Sequence, residues 1–306
     1  MQSLTALLGL LNLIFFKPYN AIKMNHLNKI SILFFLLLNL FFTACEKDNP
    51  TPGEDFGTFD LIFDNRVGDQ AVSLVNADAT EFPYTNNMGQ SFNLTLLGYY
   101  ISKIELAGPN GEYFADEIST GADAAQVKGF YHVLESDPNS QNIRLDRIPA
   151  GKYDQVTFTL GIDAETVQEG ATGGVLDPAE GAWLWNWDAG YIAFGIEGRS
   201  PASPREADQF NPENGVQIHI GGWKDIAGNA NMVNNVKRIT LDFPSAVNIE
   251  SRLSPNAHLE MDLLKVLDGH ANNVDFSTTY AVHAPAKGKV FADNLAAAFS
   301  VDHVHQ

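Results

Sequence analysis

Downstream of residue 56, apolar and polar positions alternate with a period of two through most of the chain. Phe59, Leu61 and Phe63 are interleaved with Asp60 and Asp64, and Val156, Phe158 and Leu160 follow the same rhythm from Gln155 onward. Successive side chains on a strand point to opposite faces, so this alternation predicts strands with one buried face. The same pattern predicts strands over residues 92–106, 129–134, 142–148, 191–197, 216–221, 236–243 and 258–266. Turn-rich pieces such as Gly108-Pro109-Asn110-Gly111-Glu112 separate them. Helical periodicity is weak, Phe291 to Phe299 being the best short candidate, and no internal repeat is present. Regularly spaced strands with few short helices predict an all-β fold, an antiparallel β-sandwich or barrel-like sandwich. Residues 56–306 are long enough to bury a good core as one domain.

The N-terminal pattern is of another kind. Met24-Asn25-His26-Leu27-Asn28-Lys29 precedes an apolar run from Ile30 to Phe42 that ends in Thr43-Ala44-Cys45. The run is short for a spanning helix and stops at small residues before the chain's one cysteine. Residues 24–44 therefore read as a lipoprotein signal peptide, with Cys45 the site of lipidation. Residues 1–23 read as an upstream extension before the true start at Met24. Polar, proline-containing residues 45–55 read as a disordered tether between lipid and domain. These features predict a protein lipid-anchored to the cell envelope of a Gram-negative bacterium, on the periplasmic side or the cell surface.

Removing the signal takes Lys17, Lys23 and Lys29 from a chain of net charge −18 and leaves −21 on the exported part. An acidic surface of that size argues against nucleic acid, which needs clustered Lys and Arg. With Cys45 committed to lipid, the chain offers neither disulfides nor a thiolate metal site, and any metal falls to imidazole and carboxylate.

Three of the four tryptophans, Trp183, Trp185 and Trp187, lie two apart, and Trp223 closes His219-Ile220-Gly221-Gly222-Trp223. On an extended strand the first three would form one aromatic ladder, either sealing a β core or lining a site. His219 projects opposite the Val216, Ile218, Ile220 stripe. His258 shares a strand face with Glu260 and Asp262, and His303 and His305 stand at i and i+2 beside Asp302. Two imidazoles so spaced on a strand can reach one ion. His219, His303 and His305 are the leading ligands on this reading, followed by His258. No catalytic motif is present: there is no Gly-x-Ser-x-Gly, no His-Glu-x-x-His, and the glycine-rich loop at 170–174 lacks a following lysine. The chain therefore reads as a binding protein rather than an enzyme.

Several segments together carry a family resemblance. Leu176-Asp177-Pro178-Ala179, Trp185-x-Trp187-Asp188-x-Gly190-Tyr191, His219-Ile220-Gly221-Gly222 and Asp302-His303-Val304-His305 resemble the MbnP family of periplasmic and surface copper-binding proteins, in its Bacteroidetes lipoprotein branch. Tyr99-Tyr100-Ile101-Ser102-Lys103-Ile104 and Leu160-Gly161-Ile162-Asp163 are similar to that family's strands, so the resemblance runs from Phe59 to Gln306. It implies copper as the ligand, with a partner di-haem cytochrome c peroxidase that oxidises a tryptophan, here Trp185 or Trp187, to kynurenine. The new arylamine then helps histidines hold the metal. The chain departs from some copper-holding members, which carry histidine where Trp187 or Asp188, or Ser102, stands here. An alternative function is a surface lipoprotein whose tryptophan ladder stacks on a glycan or other ligand.

Overall fold

The structure, a computed structural model, describes residues 55–168, 173–269 and 273–306. Cys45, the signal segment and the tether up to residue 54 lie outside the described residues. Within them the chain forms two open β-sheets. One has five strands, in the order β15 (Phe299–His305), β13 (Asn256–Asp262), β1 (Phe56–Val67), β2 (Gln70–Ala71), with β7 (Asn142–Pro149) also paired to β1. The other has ten: β12 (Lys237–Ile249), β8 (Gly151–Leu160), β4 (Ser91–Ala107), β10 (Gly190–Arg199), β11 (Gly215–Gly221) and β14 (Ala281–Val282) in order. On β4 also sit β3 (Tyr84–Thr85), β5 (Tyr113–Ala115) and β6 (Phe130–Leu134), and β9 (Leu184–Asn186) pairs with β10. The expected all-β sandwich is the fold.

Alternation explains the main core. Phe59, Leu61 and Phe63 of β1 are fully buried while Asp60, Ile62, Asp64 and Arg66 face outward. Phe63 meets Tyr99, Phe158 and Phe299 edge-on at ring separations of 6.0, 6.1 and 6.5 Å, linking both sheets through three other strands. Complete burial of such rings contributes about 1.5–3 kcal/mol each. Strand β4 breaks the alternation, since neighbouring Tyr99 and Tyr100 are both fully buried. Its far face carries a second cluster of Tyr100, Phe130, Ile162, Leu176, Tyr191 and Trp223. A strand covered on both sides reads as a continuous apolar run.

Three local features differ from the sequence expectation. Two strand pairs, β1 with β13 and β11 with β14, are parallel. Parallel neighbours need long connections, and alternation within a strand carries no information about its neighbour's direction. The strand expected over 258–266 ends at Asp262, whose side chain accepts from the Leu264 amide at 3.0 Å and caps a short helix, Leu263–Leu267. The helix expected at 291–299 spans Pro285–Ala298, with Pro285 in its first turn, and Phe299 already belongs to β15.

Candidate metal centre

The outer face of the five-stranded sheet gathers three histidines. Strand β13 presents His258 beside His303 of β15, and Asn256 pairs with His305. One ring nitrogen from each of His258, His303 and His305 can be chosen so that all lie within 4.8 Å of one another. The His303 and His305 Nε2 atoms are 3.1 Å apart, and the His258 and His303 rings stack at 4.3 Å. A register shift between His258 and Leu259 makes Asp302 the extra residue of a bulge. Bulges re-aim side chains at a strand edge, and the Asp302 carboxylate stands 2.6 Å from His303 Nδ1.

A second carboxylate comes from β1. The parallel register sets Ile62 opposite His258 and Asp64 opposite Glu260, and Asp64 Oδ2 reaches His258 Nδ1 at 2.7 Å. A carboxylate on Nδ1 fixes that nitrogen as the donor and leaves Nε2 with its lone pair, the arrangement found behind metal-binding imidazoles. The donor set is all imidazole, and Met261, the nearest thioether along β13, is fully buried in the core. These residues fit a borderline transition metal.

His219 is placed elsewhere. The sequence reading groups it with His303 and His305, but it lies on β11 of the other sheet. There Nε2 stands 2.9 Å from Glu197 Oε1, and the ring meets that of His283 edge-on at 4.9 Å. The contact with His219 holds the Glu197 carboxyl below its ordinary range, whereas burial, reinforced by the neighbouring His219, lowers His283. Local alternation fixes the face on which His219 projects. Which sheet owns that face is a tertiary outcome, and His258 stands where His219 was expected.

The tryptophans do not form one ladder. The Asn186 side chain accepts from the Asp188 and Ala189 amides at 2.9 and 2.8 Å, turning the chain after β9 so that Trp187 ends up 41% exposed. Trp183 lies over two glycines: a Cβ built on Gly98 or on Gly195 would come within 2.9 Å of its ring. Trp185 covers Gly221 in the same way at 2.8 Å. Trp223, buried, covers Gly190, and its Nε1 donates to the Trp187 carbonyl at 3.3 Å. Glycine inside a strand marks close approach by another group, and here that group is an indole.

His132, which the sequence reading did not single out, completes this cluster. Its ring stacks on Tyr100 at 4.1 Å and meets Trp183 edge-on at 4.6 Å. The Nε2 atom is buried with no hydrogen-bond partner among the described residues, and burial pushes the imidazole down to about 4. The Tyr100 hydroxyl donates to the Val175 carbonyl at 3.0 Å and accepts from the Trp183 amide at 3.1 Å. Ser102, one of the departures from the copper-holding pattern, is buried and donates to the Gly161 carbonyl at 2.9 Å. The only sequence signal for His132 was its position in the expected strand 129–134. For Asp64 it was an outward position on the first strand.

Among curated proteins no relative matches the chain. Among solved structures, MbnP from Methylosinus trichosporium is similar at 15% identity and a TM-score of 0.42, over 71% of this chain and 82% of that one. The MbnP family model matches residues 56–285, all but the last helix and β15 of the folded part, and the chain belongs to the MbnP family.

Proposed function

We propose that the chain is a copper-binding protein of the cell envelope, tethered through lipid on Cys45, with its metal held by His258, His303 and His305. The observation that carries this reading is the convergence of three imidazoles on one sheet face, two of them backed by Asp64 and Asp302. The family's association with copper supports the choice of ion. It also supports an extracytoplasmic location, and no helix among the described residues is long and apolar enough to cross a membrane. Bound copper would supply a Lewis-acidic, redox-capable ion. The protein's own part is to hold His258 and His303 in one tautomer and to keep one ring nitrogen of each of the three histidines close together.

Maturation by a di-haem cytochrome c peroxidase belongs to the same proposal. With two equivalents of peroxide as oxidant, that enzyme would insert two oxygen atoms across the indole 2,3-bond, and hydrolysis would then release the ring carbon as formate, leaving kynurenine with one carbon fewer and one oxygen more. Trp185 and Trp187 remain candidates, and Trp183 joins them because its ring meets that of His132 at 4.6 Å, an imidazole whose Nε2 has no hydrogen-bond partner among the described residues. An arylamine formed there would meet a neutral imidazole. A stacking platform for glycans has less support, since it needs rings exposed in a row and Trp187 is the exposed one of the four.

The test is metal analysis of protein expressed with and without the peroxidase, alongside a His303→Ala, His305→Ala double variant. Copper in the wild type and its loss in the double variant is the expected result. Absence of copper from both wild-type preparations would overturn the reading.

A further inference from the structure

We propose that Asn256 positions His305 for metal, as the hydrogen-bond acceptor that stands behind this imidazole. The inference rests on the reading that His258, His303 and His305 hold the ion, and it adds a residue that acts through one of them. His258 and His303 each face an aspartate through Nδ1, Asp64 at 2.7 Å and Asp302 at 2.6 Å, and so offer Nε2 to a metal. His305 lacks this support. Its Nε2 lies 3.1 Å from that of His303, and its ring meets those of His258 and His303 edge-on at 5.6 and 4.8 Å. Its Nδ1 makes no hydrogen bond among the described residues. With Nε2 as the ligand atom the ring proton sits on Nδ1, and that N–H needs an acceptor if the ring is to be held.

The strand register brings one acceptor alongside. Asn256 of β13 is paired with His305 of β15 on one side and with Asp60 of β1 on the other. Directly opposed residues of an antiparallel pair share a face, with Cβ atoms about 4.5–5.5 Å apart. Asn256 is also two residues from His258, on the partly exposed face of β13. Asp60, Asn256 and His305 thus form one row across three strands, next to the row of Ile62, His258 and His303.

Unmet hydrogen bonding points to the same row. Asp60 Oδ1 and Asn256 Oδ1 are two of the four buried side-chain nitrogen and oxygen atoms that have no partner among the described residues. The other Asp60 oxygen, Oδ2, has Arg144 Nη1 at 3.5 Å. Buried acceptors are almost always satisfied, and two neighbouring acceptors cannot satisfy each other. Asn256 carries the missing donor itself. Its terminal torsion is broad and roughly two-fold, so a half-turn exchanges the places of its nitrogen and oxygen. With Asp60 and His305 on opposite sides of β13, Nδ2 then donates to Asp60 Oδ1, and Asn256 Oδ1 accepts from His305 Nδ1. One rotation serves both acceptors and the unsupported imidazole, which gains a carboxylate through an amide where its companions have one directly.

The experiment uses the full chain in detergent, stripped of metal and titrated anaerobically with Cu(I) against a competing chelator. Asn256→Leu, which keeps the side chain's size and removes its polar atoms, should weaken binding about tenfold or more, the usual effect of losing the group behind a ligand histidine. Asn256→Ala serves in its place if the larger apolar side chain impairs folding. The exchange variant Asp60→Asn, Asn256→Asp keeps one amide and one carboxylate in the pair and an acceptor beside His305, so it should bind within about threefold of the wild type. In protein with 15N-labelled histidine, loaded with Cu(I), the ring proton of His305 should appear on Nδ1 and be lost to exchange with water in Asn256→Leu. A change in metal-free stability with neither effect is what a purely structural Asn256 would give, and it would overturn the inference. So would metal on Nδ1 of His305. In either case loss of Cu(I) from the double variant His303→Ala, His305→Ala keeps the copper reading, whereas wild-type affinity in that double variant overturns the copper reading itself.

Discussion

Two tryptophans four residues apart have opposite relations to the fold. Trp183 fills a slot made by Gly98 and Gly195, whereas Trp187 is 41% exposed beyond the turn. Trp183→Ala should therefore cost about 3 kcal/mol in denaturant unfolding, at the low end for a core aromatic because the ring is only part-buried. Trp187→Ala should cost under about 1 kcal/mol. Equal losses at both positions would mean that the segment packs as a ladder after all. His132 gives the residue scale its pH dependence. Its ordinary value is 6.5 and burial lowers it to about 4 in the native state. Above pH 6.5 the group is neutral whether folded or not and leaves stability independent of pH. As pH falls from 6.5 towards 4, the unfolded chain takes up a proton that the native one refuses, and stability declines. At about 1.4 kcal/mol per unit the loss is on the order of 3 kcal/mol. His132→Phe, which keeps a ring against Tyr100, should flatten this part of a stability-against-pH curve.

At the scale of elements, β15 joins the core to the candidate centre. Its first residue, Phe299, packs in the core and its last, His305, stands exposed at the centre. The bulge at Asp302 lets neighbouring Asp302 and His303 make contact, and the Gln306 side chain ties the strand's end to the Ala246 carbonyl and the Asn248 amide at 3.1 and 3.0 Å. Asp262 plays a comparable part at the end of β13. It caps the short helix at Leu264 and also accepts from the Gly68 amide at 2.9 Å, joining β13 to the end of β1. Asp262→Ala should cost about 1–2 kcal/mol, the range for a lost cap. Because the cap lies at the end of the strand away from His258, metal stoichiometry should be unchanged. A variant that keeps its stability but loses metal would show that the capped end sets the register of β13 against β15.

For the whole molecule, the acidic composition and the proposed lipid anchor are the two properties that act beyond the fold. Net charge −18 keeps the domain soluble and concentrates cations near it, an effect that salt screens and that does not by itself choose a site. Cys45→Ser should move the protein from the membrane fraction to the soluble fraction, since stable anchoring requires the multiply acylated cysteine. Retention of the serine variant in the membrane would mean that an apolar N-terminal segment is kept as the anchor. Co-expression with the di-haem peroxidase should shift the mass of a peptide covering residues 182–191 by the loss of one carbon and the gain of one oxygen. Fragment ions would assign the change to Trp183, Trp185 or Trp187.

The sequence alone determined which residues alternate into strands, the face on which His219 projects, the nearness of His303 to His305, and the short apolar run that precedes Cys45. All of these follow from stereochemistry or composition within a few residues of chain, and they hold whatever the strand pairs with. The tertiary structure decided what no local pattern contains. Asp64 and His258 are 194 positions apart and meet because β1 and β13 run parallel in one register. His219 and His303 both project from strands, yet the pairing order gives them to different sheets. Trp183 and Trp187 share a period-two phase, and the Asn186 turn together with glycines on β4 and β10 separates their fates. His132, an ordinary strand residue in sequence, becomes a buried imidazole because the second cluster covers the far side of β4. Strand pairing is non-local, and the free energy that selects one pairing is spread over the whole core.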